Sequence, residues 1–140
     1  MTNKEKKQWL LRGWKLDKEI KTLLEAKQRA FEAVIGTTAA PVEDKIQTSN
    51  INRHENALIR YADFERCLDE QTDRLITIKK EIAEAIFKIE NSTLRTLLVK
   101  RYIDFKTWEQ IAEEMDYDPD HVRKNLHSLA LMKIYPKIPG

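Results

Sequence analysis

Apolar residues along this chain recur at steps of three and four in long series, the mark of helices that bury one face. From about Gln8 to Ile35 the series is Trp9, Leu16, Ile20, Leu23, Leu24, Phe31, Val34 and Ile35, and Gly36 stands where a helix would stop. Residues before Gln8 are mostly charged and read as a frayed end. A second series, Tyr61, Phe64, Leu68, Gln71, Leu75, Ile78, Ile82, Ala85 and Ile89, keeps the alternation without a slip. Heptads sustained this far predict coiled-coil-like packing, with Gln71 either setting register or lying at a solvated edge. The partner of this seam is either the first helix, folded back as a hairpin, or a second copy of the chain. The connection length favours the hairpin.

Between the two series, GTTAAPVEDKIQTSNIN (residues 36–52) has no period and carries Pro41, so it reads as a long loop. Asn52 with Glu55 fits a capping box that would open the second helix. Near Glu90 the seam ends, and Asn91, Ser92 and Thr93 offer caps for a helix striped by Leu94, Leu97, Leu98, Arg101 and Tyr102. The expected division is therefore a helical hairpin and oligomerisation region over 1–90, a second domain over 91–135 and a tail over 136–140.

The densest signal lies from Leu94 to Ile134, which reads helix, turn, helix, turn, helix. Trp108, Ile111, Ala112 and Met115 form a buried stripe, opened by a Thr107/Gln110 capping box. The break Asp116-Tyr117-Asp118-Pro119 follows, with Asp118 placed to cap the last helix and Pro119 suited to its first turn. This is the layout of a helix-turn-helix DNA reader. At an α-helical pitch, Val122, Leu126 and Leu129 face the core, which turns Asp120, Lys124, His127 and Ser128 outward with His121 and Arg123 at the flanks. Asp120, His121, Arg123, Lys124 and His127 are then the candidate base-reading residues, since Arg or Lys donates to guanine O6/N7 and acidic side chains accept from cytosine. Lys106 and Thr107 at a helix start, with Lys100 and Arg101 before them, are the candidate phosphate contacts. The pitch leaves Leu131 on the outer side. Either the helix ends near it, or Leu131 packs with Ile134 and Tyr135 on a partner.

Composition agrees with helices: Gly (3) and Pro (4) are scarce, and charged residues form 34% of 140. The net charge of +2 is unevenly spread. Residues 1–30 hold nine Lys/Arg against four Asp/Glu, residues 31–90 eight against twelve, and residues 91–140 eight against seven. This suits nucleic acid without arguing for it unaided. The middle helix, with Glu109, Glu113 and Glu114, would face away from DNA.

Other chemistries find little footing. The lone Cys67 makes no intramolecular disulfide, and no Cys/His cluster suggests zinc. No Gly-rich phosphate loop or nucleophile motif is present, so neither enzyme nor cofactor is expected. No run is long enough to span a membrane, and Asp17, Glu19 and Glu25 argue against a membrane-surface role for the helix carrying Trp9 and Trp14. A reducing cytosol is the expected compartment.

The run LLVKRYIDFKTWEQIAEEMDYDPDHVRKNLHSLAL resembles region four of bacterial sigma factors. Within that group it looks most like the phage-encoded regulators of the RinA/ArpU type. The TWEQIAEEM block and the DPDHVRK opening carry the likeness. It implies a regulator of phage late genes that binds promoter DNA, with Asp120, Arg123 and Lys124 reading bases and RNA polymerase as a further contact. Pro119 and Asn125 depart from the usual pattern there. The full expectation is an all-α protein, a long helical hairpin or coiled coil followed by a three-helix, sigma-region-four-like helix-turn-helix, acting on double-stranded DNA as a homodimer with no small-molecule substrate. A DNA-packaging protein like a small terminase subunit, or a polymerase-binding adaptor without DNA specificity, stands as the alternative.

Overall fold

A computed structural model of the chain describes residues 1–39 and 47–137. Among these residues there are helices and no strand, so the architecture is all-α. The helices are α1 (Asn3–Leu10), α2 (Arg12–Ala39), α3 (Gln47–Ile86), α4 (Ser92–Tyr102), α5 (Trp108–Met115) and α6. The last consists of a π-helical turn (His121–Leu126) that runs into an α-helical segment (His127–Lys133).

The chain divides into two compact units, one of Met1–Leu16 with Leu75–Gly140, the other of Asp17–Arg74. The division falls inside α2 and α3 rather than at residue 90. The cause is a shared core: Leu10, Ile82, Ala85, Ile86 and Ile89 are buried together with Leu94, Leu97, Leu98, Tyr102, Ile111, Val122 and Ile134. The end of the heptad helix is thus part of the same packed body as the three short helices.

In the other unit, α2 and α3 lie side by side. Lys27 meets Glu65 at 3.8 Å, the Phe31 and Tyr61 rings meet at 5.9 Å, and Thr37 Oγ1 meets His54 Nδ1 at 3.0 Å. Partner numbers fall as the first numbers rise, so the helices are antiparallel and the hairpin is the seam's partner. Leu68 is buried there and Tyr61, Phe64 and Gln71 are half-buried, as the heptads require. The Gln71 side-chain Oε1 accepts from Arg74 Nη1 at 3.2 Å.

Four boundaries differ from the sequence reading. Gly36 does not stop α2, which continues to Ala39, and α3 begins at Gln47 rather than at Asn52. The expected 36–52 loop is helical at both of its ends, and its remaining residues, 40–46, lie outside the described residues. The reason stands one residue past the glycine. The Thr37 hydroxyl bonds back to Val34 O at 2.9 Å and across to His54, which ties the helix down beyond Gly36.

At the other end of the hairpin, α3 stops at Ile86, and residues 87–91 form a short connection. Arg95 Nη1 fastens that connection by donating to Ile89 O (2.7 Å) and Glu90 O (3.0 Å). The amino-terminal residues are an ordered helix instead of a frayed end. Thr2 and Glu5 complete a capping box, and Lys6 is buried. Of the predicted tail, residues 138–140 lie outside the described residues.

Gly36 sits in a helix with no positive φ, and nothing lies within 4 Å of where its Cβ would be. Gly36→Ala should therefore stabilise the fold by about 0.5–1 kcal/mol, because alanine restricts the unfolded chain and favours the helix. Urea unfolding midpoints measure this. A loss of stability would place Gly36 in a left-handed stop instead.

Candidate nucleic-acid interface

Each short helix starts where the sequence places a cap. Asn91 Oδ1 accepts from Leu94 N at 3.1 Å and opens α4. Thr107 and Gln110 exchange both bonds of their capping box and open α5. Asp118 Oδ2 accepts from Asp120 N at 3.1 Å, so helical backbone begins at residue 119. Between α5 and α6 the chain turns through Asp116, left-handed at φ 60°, while Tyr117 N bonds to Ala112 O at 2.9 Å. Aspartate tolerates that backbone because its short polar side chain bonds locally.

Beyond this turn, Asp120, His121, Arg123, Lys124, Asn125 and Ser128 are all exposed. Arg123 Nη2 lies 3.1 Å from Asp120 Oδ1, and Asn125 Nδ2 lies 2.9 Å from His121 Nδ1. Four of the five expected base-reading residues therefore share one outer face. The fifth does not. His127 is 6% exposed, and its Nε2 shares a 2.6 Å hydrogen bond with Tyr102 Oη. Its ring stacks on Tyr102 and meets the Trp108 indole edge-on at 4.7 Å.

The π-helical turn explains the correction. His127 N bonds to Val122 O, five residues back, so Val122 and His127 share the inner face that α-helical pitch would give to Val122 and Leu126. Every later position is shifted by one. Leu129, expected inside, is 48% exposed, whereas Ala130, Leu131 and Ile134 are buried. The same shift settles Leu131, which packs into the core of its own chain. Asn125, where the chain departs from the pattern of the family it resembles, is exposed within the same turn.

The four expected phosphate contacts separate into two groups. Lys100 and Lys106 both bond to the Glu114 carboxylate, Lys100 at 2.9 Å. Those bonds, from Lys106 first and Lys100 second, hold the Glu114 carboxyl below its ordinary pKa. Thr107 is occupied as the cap of α5 but lies exposed beside Lys106. Arg101 is committed elsewhere. Its guanidinium lies 4.4 Å from the Trp14 ring centroid and 4.3 Å from that of Trp108, with Nη1 donating to Lys106 O at 3.0 Å. Nε is buried and has no partner, and burial lowers the Arg101 pKa. An arginine stacked between two indoles is not placed to hold a phosphate.

Two further supports went unseen in the sequence. Lys6 Nζ donates to Leu131 O at 2.9 Å and lies over the Tyr135 ring, so a buried cation meets the carboxyl end of α6. Phe105 holds φ 58°, a costly backbone for an aromatic residue. Its ring lies edge-on to Trp14 at 5.6 Å and 3.5 Å from the point where a Cβ on Gly13 would stand. The turn between α4 and α5 is thereby pressed onto the start of α2.

No group of His, Cys, Asp and Glu among the described residues could hold a metal ion, and no helix there is long and apolar enough to cross a membrane. Comparison with protein-family models, curated proteins and solved structures finds no match to this chain.

Burial first, then the nearby Lys7 and Arg101 charges, lower the His127 pKa to about 4, while burial raises that of Tyr102. The unfolded imidazole takes its proton near pH 6.5, well before the folded one. Folding stability should consequently drop as pH falls from about 6.5 to about 4, by about 3 kcal/mol from this one residue. Denaturant midpoints across that range, compared with His127→Gln, test it. An equal acid loss in the variant would clear His127.

Proposed function

We propose that the chain is a sequence-specific DNA-binding regulator of transcription, which enters the major groove with the outer face of α6. One juxtaposition carries this reading. A turn fixed by Asp116 and capped by Asp118 leads into a helix whose exposed side holds His121, Arg123, Lys124 and Asn125. Arginine and lysine there suit guanine edges, asparagine suits adenine, and Asp120 suits the cytosine amino group. The Asp120–Arg123 pair is exposed, and such pairs contribute little, so either partner can exchange it for a base edge.

Lys100, Lys106 and Thr107 are the proposed phosphate contacts, the lysines trading the exposed Glu114 carboxylate for phosphate. Arg101 and His127 are assigned to the scaffold. The likeness to sigma region four and to phage regulators points the same way. It would make phage late promoters the target, host RNA polymerase a neighbour and the bacterial cytoplasm the place of action.

Selection of bound sequences from random DNA should recover a motif. On that motif, Arg123→Ala or Lys124→Ala should cost about 1–3 kcal/mol of specific binding. Lys106→Ala should weaken binding to all sequences alike and lower the salt dependence by about one counterion. No enriched motif, with both recognition variants binding as the wild type does, would overturn the reading.

A further inference from the structure

Helix α6 carries one residue more than its packing uses. Val122 and His127 are both buried in the core, 0% and 6% exposed, and stand five residues apart. At α-helical pitch two such inward positions stand three or four apart. Between them lie Arg123, Lys124, Asn125 and Leu126, and the first three of these are exposed. Beyond the wide turn the inner face runs on from His127 through Ala130, Leu131 and Ile134, at ordinary helical steps. With one residue fewer between Val122 and His127, a regular α-helix would keep every one of these side chains on the inner face. The core therefore does not need the surplus residue.

On the outer side the surplus is held by bonds that do not reach the core. Asn125 Nδ2 lies 2.9 Å from His121 Nδ1, and the Ser128 hydroxyl donates to Lys124 O at 2.6 Å, a back-bond of the kind that accompanies a distorted helix. π-helical turns are rare and recur as single turns inside α-helices, frequently at functional sites. What the turn changes at the surface is angular. Three consecutive residues fan over about 200° of an α-helix, too far for all three to meet one groove. A turn that holds more residues sets each at a smaller angle from the next, which draws Arg123, Lys124 and Asn125 towards a single face.

We propose that the wide turn is a reading device: it gathers Arg123, Lys124 and Asn125 towards the same base edges, so the preferred DNA sequence depends on the turn itself as well as on the three side chains. The proposal rests on major-groove reading by α6 and adds the element that decides which base pairs are reached together. Two positively charged donors are followed in this row by an amide that both donates and accepts. Guanine edges next to an adenine are the matching surface.

Two variants of the full chain separate the width of the turn from the side chain it adds: deletion of Asn125, and Asn125→Ala. Without DNA, the deletion should keep the helicity of the wild type and unfold at the same or a higher urea concentration. On the motif selected by the wild type it should lose at least ~10-fold in affinity, while binding to unrelated DNA stays as it was. Asn125→Ala should lose less and relax one position of the motif. A deletion variant that unfolds or falls to a lower urea midpoint would show that the turn serves the core, and would overturn the proposal. So would a deletion variant that selects and binds the same motif as tightly, or an alanine variant that loses as much as the deletion. A wild type that enriches no motif sinks base reading and this proposal together, whereas a motif shared by wild type and deletion sinks this proposal alone.

Discussion

The guanidinium of Arg101, held between the indoles of Trp14 and Trp108, is the contact on which the arrangement around α6 depends. It joins the start of α2 to α4 and α5 through one side chain. Trp108 then meets His127 edge-on, and His127 bonds to Tyr102, the neighbour of Arg101 on α4. Three helices, α4, α5 and α6, are thus closed into a ring of aromatic and cationic contacts, with α2 joined to it through Trp14. Each cation–π contact is worth about 0.5–2 kcal/mol, more as it is desolvated, and here one cation makes two of them. The cost is visible in the same residue: a buried Nε left without a partner. Lysine would not serve, because a flat delocalised cation is what two parallel or tilted ring faces can sandwich.

From this ring follows the way α6 is presented. His127 can occupy the core only because the π-helical turn sets it five residues after Val122. An uninterrupted α-helix would bring Leu126 inward and swing the imidazole out. The wider turn costs backbone hydrogen-bond quality, and the Tyr102 phenol and Trp108 edge supply compensation. What reaches the surface as a consequence is a short polar row, with the apolar Leu129 and Met132 behind it. The outer face of α6 and the inner ring are two sides of one choice of pitch.

Much of this was legible in the residues. Heptads found the seam, and Asn91, Thr107 with Gln110, and Asp118 marked helix starts through bonds that span only two or three residues. Such signals are local, and local sequence carries them. The π-helical turn was not legible, because its cause is a hydrogen bond between residues 25 apart and a contact with Trp108. Lys6 was still less so, since what draws it inward is a carbonyl 125 residues away. The capping box at Thr2 and Glu5 was present to be read, but charges around it pointed to a loose end. At Gly36 the intrinsic preference of glycine lost to a threonine that bonds across the hairpin. The roles of Arg101 and His127 were misassigned for one reason. A cationic or polar residue near a reading helix looks exposed until its aromatic neighbours are known.

Phe105 and Gly13 carry a further meaning for how this chain can change over descent. The ring of Phe105, held on a left-handed backbone, occupies the space that any β-branched or long side chain at position 13 would need. A glycine at position 105 would relieve the backbone but abandon Trp14 and empty the site, while a bulky residue at 13 would expel the ring. Neither step is open alone, so the two positions should drift as a pair, and a lineage that alters one should record the change in the other.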